Sequence, residues 1–193
     1  MINDCSSNLF GSLVEKLSSK ECCVLEHFYK NVNRLSLPSK TILLNEGKIA
    51  DTLYLIRKGC LRLFFYNEEK DITFQFFFEG DFVASFDSLY KSQPSLFSLE
   101  SIELTEVFSV KKEHFYDLVE QIPLLRKVYE EKIIDRFHVY QQLFLSRIKS
   151  TPAQRYKELL KECPHIIQRV PQHYIASYLG VTPVSLSRIR NRR

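Results

Sequence analysis

The sequence predicts an α+β protein: an N-terminal β jelly-roll barrel, one long helix, and a small C-terminal helical domain carrying a helix-turn-helix. Three observations predict it. Between about residues 33 and 110, Pro38, Gly47, Gly59 and Gly80 punctuate short runs rich in Ile, Leu, Phe, Tyr and Thr, the texture of a closed antiparallel barrel or jelly roll. From 122 to 149 no glycine interrupts a run whose apolar residues step at helical spacing. Residues 172–190 then read as two short helices on either side of Gly180.

At the start of the chain, residues 6–30 have helical periodicity. Leu9, Leu13 and Leu17 recur four apart, and Leu25, Phe28 and Tyr29 follow a polar break. Residues 53–56, 61–66 and 72–78 are strand-like, with a polar hairpin turn at 67–70 between the last two. Phe74, Phe76 and Phe78 alternate, which puts them on one strand face, as core before pocket. Strands resume at about 95–101 and 104–110, and 112–119 reads as a short helix.

The long helix, 122–149, has Pro123 at its start, where proline is tolerated. Leu125, Val128, Ile133, Phe137, Tyr140, Phe144 and Ile148 form an apolar stripe that one small barrel is not expected to cover fully. The rhythm is too irregular for a strict coiled coil, and a dimerisation helix is the expectation. Pro152 and Pro164 bracket a further helix at 153–162. The expected domains are therefore 1–120, 121–149 and 150–193.

Residues 172–190 carry the chemistry. Ile175 and Leu179 lie four apart on one face of a first helix, beside the small Ala176. Gly180 ends that helix where positive φ is needed, and Val181 plugs the corner. Thr182 suits the N-cap of a second helix and Pro183 its first position. Leu186 and Ile189 anchor the second helix to the first. Thr182, Pro183, Val184, Ser187, Arg188 and Asn191 are left facing outward, where such a helix meets base edges in a major groove. Arg188 is the candidate for a guanine contact and Val184 for a thymine methyl. Arg190, Arg192 and Arg193 are expected on phosphates.

Charge supports this reading. Residues 148–193 hold nine basic residues against Glu158 and Glu162, a net of +7. The whole chain is +4, so the first 147 residues carry −3. A basic C-terminal module on an acidic body is the electrostatic footprint of nucleic-acid binding.

Composition narrows the alternatives. The chain has 193 residues, enough for one large domain or two small ones, and 45% of them are hydrophobic, enough for a core. No apolar run approaches the ~20 residues of a membrane span, and no basic segment followed by an apolar core opens the chain; the expected compartment is the cytoplasm, with no membrane partner. The five cysteines (Cys5, Cys22, Cys23, Cys60, Cys163) form no Cys-x-x-Cys pair and read as reduced thiols. The five histidines are scattered, so no metal site is expected. The barrel region contains no histidine, which argues against a metal-dependent jelly-roll enzyme. The chain is not expected to be an enzyme, and no cofactor is predicted.

Barrel, long helix and helix-turn-helix in this order resemble the Crp/Fnr superfamily of transcription regulators, over about residues 10–193. The residues that carry the resemblance are Ile42-Leu-Leu-Asn-Glu-Gly47, Asp51-Thr-Leu-Tyr-Leu-Ile-Arg-Lys-Gly59 and Glu79-Gly-Asp-Phe82, followed by the helix-turn-helix. The resemblance implies a cytoplasmic homodimer with a cyclic-nucleotide-binding-like sensor barrel. Its implied partners are double-stranded DNA, a second copy and RNA polymerase.

The chain departs from that pattern in informative places. In members that bind cAMP, a Glu after Gly-Asp-Phe accepts the ribose hydroxyl and an Arg neutralises the phosphate. Aligned without gaps, those positions are Ser85 and Ser95, and Lys91 is the one basic residue between Gly80 and Lys111. A buried phosphate needs a fixed cation, so a cAMP response is not expected. Gly80, Ser85, Asp87, Ser88 and Ser95 remain the candidate pocket for an unidentified small-molecule effector; the serines equally suit capping of the short helix after Phe82. Cys5, Cys22 and Cys23 lack the spacing of an iron–sulfur branch, and nothing singles out His27, His114 or His138 as a haem ligand. The family follows the recognition helix with a two-stranded wing, whereas these residues reach Arg193 within the helix; the expectation is a head lacking a full wing, with steep salt dependence. The alternative function is an effector-binding jelly roll whose degenerate C-terminal module makes protein contacts.

Overall fold

The computed structural model describes residues 10–68 and 70–191. Eight strands make two antiparallel sheets. One has the order β1 (Asn33–Leu37), β8 (Thr105–Lys111), β3 (Thr52–Lys58), β6 (Phe82–Val83). The other has the order β2 (Ile42–Leu44), β7 (Ser98–Ser101), β4 (Leu61–Asn67), β5 (Lys70–Phe77). The first-to-last pairing of β1 with β8, and of β2 with β7, is the winding of a jelly roll. Leu37, Ile56, Val83 and Val107 from one sheet meet Leu61, Leu63, Phe77 and Leu99 from the other, closing a dry core. β4 and β5 form the hairpin expected around 67–70.

The helices enclose a second core at one side of the roll. α1 (Ser19–Tyr29), α3 (Lys112–Gln121) and the first turn of α4 (Pro123–Lys149) bury Leu25, Phe28, Phe115, Leu118, Ile122 and Leu125 against Leu53 and Val110. Ser18 starts α1 with a reciprocal cap: its hydroxyl accepts from Glu21 N–H while the Glu21 carboxylate accepts from Ser18 N–H. The helical run expected over 6–30 is thus one α-helix preceded by a 3-10 segment, Gly11–Lys16. Phe10 offers that segment no side-chain cap, so nothing organises a full α-helical N-terminus there; residues 6–9, and Cys5, lie outside the described residues. A short helix α2 (Phe86–Lys91) bridges β6 and β7.

Beyond α4 come α5 (Pro152–Glu162), α6 (Pro164–Arg169), α7 (Gln172–Leu179) and α8 (Pro183–Asn191). The sequence reading ran from 162 to 172 without an element. α6 occupies that gap because Pro164, expected as a terminator, opens a new helix at its first position.

One strand reading is corrected. Leu63 pairs with Gln75 but Phe64 with Thr73, so Phe74 is the extra residue of a β-bulge. A bulge breaks the two-residue alternation of faces. Phe76 and Phe78 therefore turn toward the C-terminal helices, onto Tyr178 and His165. Phe74 stacks instead on Phe97, 4.6 Å between centroids, and meets Tyr140 of α4. The three phenylalanines do not share one face.

Gly59 makes the β3–β4 turn possible. Its φ is +104°, and a Cβ there would lie 2.5 Å from Thr105 Oγ1 and 2.6 Å from Thr105 Cα. Thr105 in turn receives Cys60 N–H on its hydroxyl. Gly59→Ala is expected to lower stability by at least about 1–3 kcal/mol, the cost of one residue held in such a conformation, before the clash is added. Chemical denaturation of both proteins measures it; equal midpoints would refute the close packing of this turn.

Candidate nucleic-acid interface

The helix-turn-helix is built by local chemistry. α7 buries Ile175, Ala176 and Leu179, and Ala176 is fully buried, so a larger side chain has no room. Gly180 follows at φ 70°, in the left-handed region. Val181 N–H reaches back to Ala176 C=O at 2.9 Å, the six-to-one bond of a glycine-terminated helix. Thr182 accepts Ser185 N–H on its hydroxyl at 3.1 Å and so caps α8, with Pro183 at the first position. Leu186, 1% exposed, seats α8 on the shared core.

The remaining surface of α8 is open. Thr182, Pro183, Val184, Ser187, Arg188, Arg190 and Asn191 are all exposed, and Ile189 is half-buried. This is the outward face expected from the spacing, with Arg188 and Arg190 on it. Arg192 and Arg193 lie outside the described residues.

Not every basic residue of this module is available to a partner. Arg147 of α4 and Arg155 of α5 donate to Tyr178 C=O and Leu179 C=O, both at 2.8 Å. They satisfy the carbonyls at the C-terminus of α7, where a cation is favoured by the helix dipole. Desolvation lowers the Arg155 pKa from its ordinary value. Arg169 is bonded to Glu79 at 2.8 Å and also to Glu103, pairing the end of α6 with the roll. The charge of the C-terminal module thus divides into arginines that hold it in place and arginines, on α8, that face outward.

The sequence reading missed how the module sits on the roll. Arg62 of β4 is 1% exposed and binds Glu100 of β7 at 2.8 Å and the Asp71 carboxylate of β5. Its guanidinium lies 3.8 Å from the ring centroid of Tyr174 in α7 and 4.1 Å from that of Phe64. Ser177 of α7 accepts the backbone N–H of Thr73 in β5 at 2.8 Å. A charged residue inside the otherwise apolar run Leu61–Phe65 was the available signal, but its partners are distant in sequence.

The candidate effector positions are closed on themselves. The buried hydroxyls of Ser85 and Ser95 are bonded at 2.8 Å, with Ser85 donating, because the Ser95 proton goes to Phe97 C=O. Ser88 accepts Ala50 N–H and bonds Gln93 C=O. Ser85 stands at the N-cap of α2 but makes no side-chain capping bond, and its hydroxyl points to Ser95 instead; the capping expectation for it is corrected. Asp87 is exposed and pairs with Lys91 at 2.6 Å, one turn along α2. Gly80 is exposed at a turn where its N–H bonds Ile56 C=O. Arg136 of α4, also unanticipated, reaches Phe82 C=O at 3.2 Å and lies 4.6 Å from the Phe77 centroid.

Among the described residues no cluster of three or more His, Cys, Asp or Glu is placed to hold a metal ion. No helix there is long and apolar enough to cross a membrane. Burial raises the Cys60 thiol pKa well above its ordinary value, the opposite of a reactive thiolate.

The ion pair between Arg169 and Glu79 has a pH signature. The Arg169 guanidinium, with help from Gly59 N–H and against a desolvation cost, holds the Glu79 carboxyl down at about 2, from an ordinary 4.5. A carboxyl depressed by folding contributes stability that is present above its ordinary pKa and lost as pH falls toward the folded value. The stability difference between the native chain and Glu79→Gln is therefore expected to be full at pH 6 to 7, roughly neutral, and to shrink between 4.5 and about 2. Thermal unfolding across that range measures it; a pH-independent difference would contradict the ion pair.

The chain is similar to known proteins in sequence and in fold. Residues 34–122 match the cyclic nucleotide-binding domain family. The cAMP-activated global transcriptional regulator CRP of Salmonella typhimurium is 27% identical over 100 residues, covering 51% of this chain and 48% of that protein. The chain thus spans about half the length of the curated relatives it matches. In structure it is similar to the c-di-GMP-responsive global regulator CLP of Xanthomonas campestris, with a TM-score of 0.69 at 17% identity over 87% of this chain and 89% of that one. It is also similar to a transcriptional regulator of the Crp/Fnr family from Eubacterium rectale, with a TM-score of 0.68 at 18% identity over 92% and 83%.

Proposed function

We propose, for a chain whose residues 34–122 are a cyclic nucleotide-binding domain and whose fold is that of the Crp/Fnr transcription regulators, that it is a dimeric, sequence-specific DNA-binding regulator that does not respond to cAMP. The observation that carries the reading is the α7–Gly180–α8 motif, with its second helix seated by Leu186 and its outer face free. α8 enters the major groove; Arg188 contacts a guanine, Val184 a thymine methyl, and Arg190 phosphates. Ser187 and Asn191 contribute hydrogen bonds, and Arg192 and Arg193 add charge. Domains 1–120, 121–149 and 150–193 act as sensor, dimerisation helix and DNA-binding head.

Dimerisation is supported by α4. Ile134, Phe137, Phe144 and Ile148 are each more than 60% exposed on this chain, and their spacing keeps them on one helical side. An uncovered row of large apolar side chains on a helix is an association surface. A second copy covering it brings two recognition helices to half-sites one DNA turn apart, roughly 34 Å. Phe137→Glu is expected to convert a dimer to a monomer in sedimentation velocity; an unchanged sedimentation coefficient would remove α4 as the interface.

The absent cAMP response is supported by the cassette. Ser85 and Ser95, at the positions that would meet ribose and phosphate, have their hydroxyls engaged within the chain, Ser85 with Ser95 and Ser95 also with the Phe97 backbone. Lys91 is paired with Asp87 on the surface. Among the described residues no basic side chain is hydrogen-bonded to Ser85 or Ser95, and Arg136 beside Phe82 is already engaged with Phe82 C=O and the Phe77 ring, so the cost of burying a phosphate there is not offset.

Arg188→Ala is expected to weaken binding to a preferred site by about 1–3 kcal/mol and to relax preference at one base pair, while Arg190→Ala weakens all sequences alike. Titration of both variants against a bound site and its single-base variants measures this. An unchanged sequence preference in Arg188→Ala would overturn the assignment.

A further inference from the structure

The irregular apolar rhythm of α4 resolves into two rows once its contacts are known. One row serves its own chain: Leu125 is buried in the helical core, Arg136 reaches Phe82 C=O, Tyr140 meets Phe74, and Arg147 bonds Tyr178 C=O. The other row is Ile134, Phe137, Gln141, Phe144 and Ile148, all exposed. These follow one another at steps of three, four, three and four, the repeat of a coiled-coil seam, with Ile134, Gln141 and Ile148 at a and the phenylalanines at d. Isoleucine at a favours two parallel strands.

Gln141, at the middle of the seam, is its polar exception. An apolar surface laid over the row buries this amide without a hydrogen-bond partner, which is unfavourable. An antiparallel copy packs a against d and sets Gln141 opposite a phenylalanine. A parallel copy slipped by one heptad sets it opposite Ile134 or Ile148. A parallel copy in register sets it opposite its own counterpart, and each amide carries both donors and an acceptor.

From this pattern we propose that Gln141 selects the partner of α4. Its amide bonds to Gln141 of a second copy across the dimer axis, and so excludes antiparallel pairing, slipped registers and apolar partner helices. The inference rests on dimerisation through α4 and adds the partner and the register. Such specificity comes with weaker association, because a polar a position destabilises the seam it specifies.

Two measurements on the full chain test it. In the first, Gln141→Cys is oxidised and its disulfides are mapped by peptide mass. A link between the two substituted positions is expected to predominate, because facing a positions of an in-register pair fall within the roughly 4.4–6.8 Å Cα separation that a disulfide spans. In the second, the native chain is mixed with tagged Gln141→Leu, re-equilibrated, and the three dimers are counted by native mass spectrometry. Mixed dimers, with glutamine opposite leucine, are expected at about a third or less of their statistical share. Val139→Leu, on the other side of the helix from the seam, is expected to mix statistically with the native chain. A native chain that is monomeric would overturn the dimer and this assignment with it. A dimer that forms no link at position 141, or that mixes freely with Gln141→Leu, would overturn this assignment alone. Equal exclusion of Val139→Leu would also overturn it, since the sorting would not come from the seam.

Discussion

The arrangement of this molecule depends on how the free edge of β5 is covered. β5 is the last strand of its sheet, and an edge strand offers unpaired backbone groups that need water or a partner. Here the partner is α7, whose Ser177 accepts the Thr73 N–H and whose Tyr174 lies over Arg62. The core at this contact is shared: Phe76, Cys60 and Ile102 of the roll pack with Ile175, Leu179 and Leu186 of the helix-turn-helix. So small a helical unit buries only a modest core by itself. It gains the rest from the roll, and the orientation of α8 follows from that seat.

Charge is divided to the same end. Arginines 147, 155 and 169 are bonded to carbonyls and carboxylates that fix the head, while Arg188 and Arg190 stand exposed on α8. Removing one member of a buried pair such as Arg62 and Glu100 leaves an uncompensated charge and typically costs about 3–5 kcal/mol. Such pairs are therefore better read as determinants of position than as reserves of stability. The apolar row on α4 is the complementary feature, a surface that one chain leaves uncovered.

The local parts of this design were legible in the sequence and the non-local parts were not. Gly180, Thr182, Pro183, Leu186 and the spacing of Ile175 and Leu179 define their own turn, caps and packing within a few residues. Of the stripe expected on α4, Ile133, Phe137, Phe144 and Ile148 stand exposed as helical periodicity implied, whereas Leu125 is buried against the roll, Val128 and Tyr140 are half-buried, and Ile134 joins the exposed row. The contacts that seat the head on the roll link residues 38 and 104 apart in sequence, Arg62 with Glu100 and Thr73 with Ser177, and no spacing rule pairs them. The bulge at Phe74 depends on strand register, so alternation alone misassigned its face. Ser85 and Ser95 were singled out as positions where a ligand contact is missing; their bond to each other is visible only once β7 is folded beside α2. α6 was hidden by a proline that starts a helix as readily as it ends one.

The most direct measurement is selection of DNA from a random duplex pool by the purified chain, at about 50 mM and again at about 200 mM salt, a range over which phosphate contacts weaken binding steeply. The account predicts enrichment of an inverted repeat with half-sites one helical turn apart, sharply weakened at the higher salt. No enriched motif at either salt, or a single unrepeated half-site bound by a monomer, would contradict a dimeric reader of DNA.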